Sequence, residues 1–253
     1  MIPKIIHLCW LSGDPYPTKI AKCLASWKKY LPDYEVMLWD TNRFDLESSI
    51  WVKQAFEKKK YAFAADYIRF YALYNYGGIY LDSDVEVLKS FDDLLDLPYF
   101  IGAEKAQTPE AAIIGAEKGC DWIKQCLDYY ENRCFIKEDG SLDIKKLPEI
   151  MVEQISKFKL LRVLSLNDSL NIRKLDMQNE VLEFNDAFFS PKVFDSREVE
   201  ITPYTYAIHH YQNSWFSPKA KAYYRSRAFF VKFLGHKFVR KAELFLMPWK
   251  FKK

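Results

Sequence analysis

Residues Ala62–Val85 read Ala-Phe-Ala-Ala-Asp-Tyr-Ile-Arg-Phe-Tyr-Ala-Leu-Tyr-Asn-Tyr-Gly-Gly-Ile-Tyr-Leu-Asp-Ser-Asp-Val, and this stretch constrains the fold more than any other. Ala62, Ala65, Ile68, Arg69, Ala72 and Leu73 recur at helical spacing. Gly77-Gly78 ends the helix, since glycine takes the left-handed backbone of a helix terminus without steric cost. Ile79-Tyr80-Leu81 then reads as a short buried strand with Asp82 and Asp84 at its carboxyl end. Hard divalent cations take oxygen ligands, so two acids held at a rigid sheet edge form a candidate metal site.

The flanking chain supplies the rest of a sheet. Ile5, Ile6, Leu8 and Trp10 predict a first strand, residues 18–30 a helix, and residues 34–39 a second strand ending in Asp40. Strand, helix, strand opens a parallel α/β sheet whose ligands sit at the carboxyl ends of its strands. No Gly-x-Gly-x-x-Gly follows the first strand, which argues against the usual dinucleotide fold. Further helices are predicted over 45–61, 91–97 and 122–130. Further strands are predicted over 99–102, 111–116, 181–184, 187–191 and 205–210, while 135–180 carries few turn signals.

Charge is distributed unevenly. Residues 219–253 hold eleven Lys and Arg against the single acid Glu243, so a chain of net charge +3 has a net acidic body before residue 219. The expected organisation is one main domain over 1–218 and a basic, aromatic tail over 219–253. A basic segment rich in Phe and Tyr either lies on an anionic membrane surface or packs on the body as a helix with a solvated basic face, whereas the acidic body would repel a nucleic-acid backbone, so no nucleic-acid partner is expected. The five cysteines lack metal-ligand spacing and are read as reduced. Met1–His7 has no basic n-region or cleavage site, and the expected location is the cytoplasm, peripheral to the inner face of the plasma membrane.

Asp66 and Arg69 stand three apart on the predicted helix and project from one face. They are either a structural ion pair or a donor and acceptor aimed at a polyhydroxylated or phosphorylated ligand. Asp-x-Asp alone is equally a turn or a cap. The metal reading gains from His209, His210 and Ser214, which stand far along the chain before Trp215. Neighbouring histidines on a strand face opposite ways, so only one of them can enter a site.

The combination is what carries meaning. An Ile-Pro-Lys-Ile-Ile-His start with Trp10, the block from Ala62 to Asp84, and the segment Tyr206 to Trp215 together resemble glycosyltransferase family 32. That family comprises DXD enzymes sharing a fold with large glucosylating toxins and fungal mannosyltransferases. The resemblance covers about residues 1–217 and implies a GT-A fold, retention of anomeric configuration, Mn2+ or Mg2+, and a nucleotide-sugar donor, with UDP-sugars favoured over GDP-sugars. The implied acceptor is a glycan or lipid-linked glycan of surface (capsular) polysaccharide synthesis. By position it implies catalytic roles for Asp66, Arg69 and Asp82. Donor contacts would come from His7, Trp10, Asp66, Arg69, Tyr80, Asp82, Ser83, Ser214 and Trp215, and metal contacts from Asp82, Asp84, His209 and His210. One departure is visible: where relatives often carry Asn, this chain reads Thr108-Pro109-Glu110-Ala111-Ala112. The alternatives are a catalytically silent sugar- or membrane-binding module and a HAD-type phosphohydrolase. The latter's motif wants Thr or Val where Glu86 stands.

Overall fold

The computed structural model describes residues 1–104, 108–192, 198–211, 218–235, 238, 239 and 241. In chain order the elements are β1 (Ile5–Cys9), α1 (Thr18–Tyr30), β2 (Glu35–Trp39), α2 (Ile50–Glu57), α3 (Tyr61–Tyr76), β3 (Gly78–Leu81), β4 (Val85–Val87), β5 (Tyr99–Ala103) and β6 (Pro109–Ala116). They continue as α4 (Asp121–Asp128), α5 (Leu147–Ile155), β7 (Leu160–Val163), α6 (Leu166–Leu170), β8 (Glu180–Glu183), α7 (Asp186–Phe189), β9 (Ala207–His209) and α8 (Pro218–Leu234).

The central sheet has the order β2-β1-β3-β6-β5. β1 pairs in parallel with β2 and β3, while β6 runs antiparallel between β3 and β5, so four of the five strands share a direction. This is the mostly parallel α/β sheet expected from the strand, helix, strand opening. Alternation along β3 divides the core. Tyr80 points into the layer with α2 to α5, where Trp51, Phe70, Trp122 and Met151 are buried. Ile79 and Leu81 point into the layer with Trp27 of α1, Phe100, Phe184 and Phe189.

Gly77 and Gly78 set the corner from which β3 starts. Gly77 (φ +67°) caps α3, its N–H donating to the Leu73 carbonyl at 2.8 Å. At Gly78 (φ +105°) a Cβ would lie 2.6 Å from the Ile5 carbonyl oxygen of β1, a backbone atom that cannot move aside without disturbing the β1–β3 ladder. Gly78→Ala is therefore expected to cost about 3 kcal/mol of stability, from positive-φ strain plus overpacking, measured by urea denaturation.

Several local expectations are corrected. The predicted helix over 45–61 is interrupted: a short 3-10 turn at Leu46–Ser48 precedes α2, which Ser49 caps, and the chain breaks at Lys58–Lys60 before α3 begins. Lys59 at φ 54° turns it there. Over 91–97 only a 3-10 turn forms, at Asp92–Leu94. The predicted strand at 187–191 is the helical turn α7, because the Asn185 side chain accepts from the Ala187 N–H and starts a helix. Over 135–180, where periodicity was uninformative, the chain forms α5, β7 and α6. Among the described residues no helix is long and apolar enough to cross a membrane.

Candidate active site

The site forms where the chain leaves the central sheet. The Asp82 N–H still donates to the Ala112 carbonyl at 2.9 Å, continuing the β3–β6 ladder by one bond. A turn then closes, with the Val85 N–H donating to the Asp82 carbonyl at 3.0 Å, and β4 departs to pair with β9. In that pairing Val85 opposes His209. One end of the chain's last described strand is thus brought beside the Asp-Ser-Asp turn.

Asp82 follows Tyr80 by two residues and so points to the same side of the strand, toward α3. Its Oδ1 accepts from the Tyr80 hydroxyl at 3.0 Å and from an Arg69 guanidinium nitrogen at 3.1 Å. The same Arg69 nitrogen reaches Asp66 Oδ1 at 3.5 Å, its other terminal nitrogen donates to the Ala111 carbonyl, and the guanidinium lies over the Tyr80 ring at 4.4 Å. Arg69 is buried, with a side chain 5% exposed, whereas the Asp82 side chain is 30% exposed and opens outward. Burial works against the Arg69 charge, but Asp82, ahead of Asp66, outweighs it and keeps the guanidinium protonated. The Asp82 carboxyl is raised above the usual range by burial, opposed by Arg69 and reinforced by the neighbouring Asp84. Asp66 is raised to about 7, chiefly by burial.

On the other side of the turn, His209 Nε2 lies 3.5 Å from Asp84 Oδ1. Its Nδ1 lies 3.2 and 3.3 Å from the two carboxylate oxygens of Glu110, and its ring packs on Tyr211 at 4.1 Å between centroids. Burial opposes a charge on His209, yet Glu110 and Asp84 hold its pKa well above the ordinary value. One ligand atom each from Asp82, Asp84 and His209 lies within 4.8 Å of the others. Two carboxylates and an imidazole form a donor set suited to Mn2+ or Mg2+, and an incoming cation would compete with the proton on Nε2. The residues present fit the group.

Two expected contacts are corrected. His7 is fully buried; its Nε2–H donates to the Gly77 carbonyl at 2.6 Å and its Nδ1 accepts from Trp39 Nε1–H at 3.1 Å. Burial lowers its pKa to about 4, so it is a neutral brace between the α3–β3 corner and β2, with no nitrogen left for a donor. His210 turns from the cluster, because alternate strand residues face opposite ways, and its Nε2 pairs with Glu86 Oε2 at 2.7 Å. The Tyr80 hydroxyl is committed to Asp82, which makes the residue a support for that carboxylate. Ser83 sits partly exposed in the turn, and Trp10 is partly exposed just after β1, packed on Tyr16 at 4.9 Å between ring centroids. Ser214 and Trp215 lie outside the described residues.

Sequence reasoning missed Glu110. It sits in the all-buried strand β6 between Pro109 and the apolar run Ala111–Ile114, and a charge in such a place must have a partner, which was the available signal.

The sheet presents an Asp-Ser-Asp (DXD) turn at its carboxyl edge, and the fold is of the GT-A type. Residues 17–101 match the family model described as the glycosyltransferase sugar-binding region containing the DXD motif. The motif resemblance therefore holds. Inositol phosphoceramide mannosyltransferase 3 of Schizosaccharomyces pombe is 32% identical over 128 residues, which are 49% of this chain and 36% of that protein. Mannosyl phosphorylinositol ceramide synthase SUR1 of Saccharomyces cerevisiae is 37% identical over 108 residues, 40% of this chain and 27% of that one. An uncharacterised glycosyltransferase of Acanthamoeba polyphaga mimivirus is 26% identical over 195 residues, 71% of this chain and 76% of its own length. The chain thus spans about a third of the fungal proteins it matches. Among solved structures, the PaToxG glycosyltransferase superposes with a TM-score of 0.50 at 23% identity over 62% of this chain and 68% of that one, a likeness of fold.

Proposed function

We propose that this chain transfers a sugar from a nucleotide-sugar donor to a glycan or lipid-linked glycan, in a metal-dependent reaction that retains anomeric configuration. The observation that supports this reading best is the convergence of Asp82, Asp84 and His209, from a turn and a distant strand, within a sheet carrying the DXD sugar-binding region. Asp82, Asp84 and His209 would hold Mn2+ or Mg2+. Such an ion would supply electrostatic stabilisation of the charge that develops on a departing diphosphate. Arg69 braces Asp82 against movement and holds a positive charge behind it. Asp66, which lies beside Arg69, would accept a hydroxyl of the donor sugar and orient it. Trp10 with Tyr16 offers an aromatic wall beyond β1, the direction from which a nucleobase would approach. We assign no nucleophile.

The test is a donor screen. UDP-, GDP- and CDP-sugars, including mannose because fungal relatives are named mannosyltransferases, are incubated with the protein and Mn2+ or EDTA, and nucleotide release is followed. Release that needs the metal is expected, with UDP-sugars the favoured donors. Absence of turnover with every donor would leave the silent-module reading standing.

We further infer that residues 219–253 meet an anionic membrane on the inner face of the plasma membrane. On α8, Phe229 and Phe233 are 60% and 67% exposed, and Phe230 and Leu234 are exposed beside them, while Val231 is buried. Large apolar side chains left in water on a strongly basic segment suit a lipid headgroup layer. The full chain is expected to float with phosphatidylserine vesicles and not with phosphatidylcholine vesicles, and deletion of 219–253 to abolish flotation. Flotation that survives the deletion would place the membrane contact elsewhere.

A further inference from the structure

We infer that Glu110 is a positioning residue for the metal centre: it holds His209 by Nδ1 so that Nε2 faces Asp82 and Asp84. This rests on the metal-dependent reading above and extends it to a residue one layer behind the cluster.

The geometry begins in β6. Between Ile101 and Gly102 the β5–β6 register shifts: Ile101 pairs with Ile114, but Gly102 pairs with Glu110. Residues 111–113 therefore bulge out of the β5 ladder, and a bulge of this kind re-aims the side chains and carbonyls on either side of it. The bulged segment serves both halves of the site. Its Ala111 carbonyl accepts from Arg69 and its Ala112 carbonyl from the Asp82 N–H, while its Ala112 N–H donates to Glu110 Oε1 at 2.9 Å. Ala112 thus holds both carboxylate-bearing residues, Glu110 through its N–H and Asp82 through its carbonyl.

The Glu110 carboxylate is 1% exposed and is surrounded by donors. Besides the Ala112 N–H, its Oε2 accepts from the Ser190 hydroxyl and, at 3.3 Å, from the Tyr211 hydroxyl. A buried carboxylate held from three directions is a fixed acceptor, and the remaining direction is taken by His209 Nδ1. A hydrogen bond at Nδ1 determines which nitrogen is free to ligate, and here Nε2 is left facing the acidic turn. Carboxylate partners of this kind orient imidazole ligands and raise their basicity, and losing one costs on the order of 10–100-fold in metal affinity.

The test is Mn2+ binding, read directly by the electron paramagnetic resonance signal of free Mn2+ in titrations of the full chain. Glu110→Ala is expected to weaken Mn2+ binding about 10–100-fold. Glu110→Gln, which keeps an oxygen facing Nδ1–H, is expected to recover a large part of that loss. Tyr211→Phe, which removes one outer hydroxyl, should bind nearly as wild type. A second reading comes from two-dimensional 1H–15N spectra of the Mg2+-loaded protein, where His209 should carry its proton on Nδ1 in wild type and lose that preference in Glu110→Ala. If Glu110→Ala does not fold, Glu110→Gln and the wild-type tautomer decide the matter. Equal Mn2+ affinity in wild type, Glu110→Ala and Glu110→Gln would overturn the inference while leaving the metal reading intact. A His209 proton on Nε2 in the loaded wild type would overturn the inference and also take His209 out of the ligand set, leaving Asp82 and Asp84 as the metal-binding residues. Failure of wild type to bind Mn2+ would overturn both.

Discussion

Asp84→Ala is expected to lower metal-dependent nucleotide release by about 10³-fold, a loss of roughly 4 kcal/mol of transition-state stabilisation. The reason lies in how the three cluster residues are committed. Asp82 has one oxygen engaged by Arg69 and Tyr80, and His209 is tied to Glu110 through Nδ1. Asp84 meets the cluster through its carboxylate at the buried side of the turn, 3.5 Å from His209 Nε2. Its removal takes a carboxylate from the cluster while leaving the turn's backbone bonds, Asp82 carbonyl to Val85 N–H and Asp84 carbonyl to His210 N–H, unchanged. The melting temperature of the metal-free protein should therefore stay within a few degrees of wild type, and Asp84→Asn should be nearly as inactive as Asp84→Ala. Comparable turnover in wild type and Asp84→Ala under the same Mn2+ concentration would sink the assignment of this residue.

Arg69→Met should show the larger structural effect. The guanidinium is the common partner of Asp66, Asp82 and the Ala111 carbonyl, and it stacks on Tyr80. Its removal strands the mostly buried Asp66 carboxylate beside the partly exposed Asp82 carboxylate and leaves a carbonyl at the β6 bulge without its donor. Breaking one partner out of a buried ionic network costs about 3–5 kcal/mol, and guanidinium chloride denaturation should register a loss of that size. Arg69→Lys should recover only part of it, because a single ammonium cannot reproduce the planar fork that reaches three acceptors while stacking on a ring. Turnover should fall in both variants. A stability of Arg69→Met within 1 kcal/mol of wild type would mean that the network contributes little.

How much of this was legible in advance differs from residue to residue. The helix, Gly-Gly corner and strand of Ala62–Val85 were readable because each signal is local: helical spacing, two glycines that alone tolerate positive φ, and an apolar run too short for anything but a strand. Asp66 and Arg69 on one face, and Asp82 and Asp84 at a sheet edge, followed from the same periodicities. The choice between His209 and His210 was not local. Alternation along the strand says that only one can enter the site, and which one depends on the β4–β9 pairing, which aligns His209 with Val85 at the end of the acidic turn. His7 was misread for a related reason. Its place in the motif says nothing of depth, and the parallel pairing of β1 with both β2 and β3 buries it between Trp39 and Gly77.

The sequence by itself determined the local elements around the DXD turn, the chemistry of the acids it presents, and the basic character of the tail, since these depend on neighbours a few residues apart. Only the tertiary structure decided which histidine joins Asp82 and Asp84, that Arg69 braces Asp82, and that Glu110 stands behind His209. Those pairings span 125, 13 and 99 positions of chain. Helix and strand periodicity lose information beyond one element, and contacts at such separations are set by sheet order and by the bulge in β6, which no local pattern encodes.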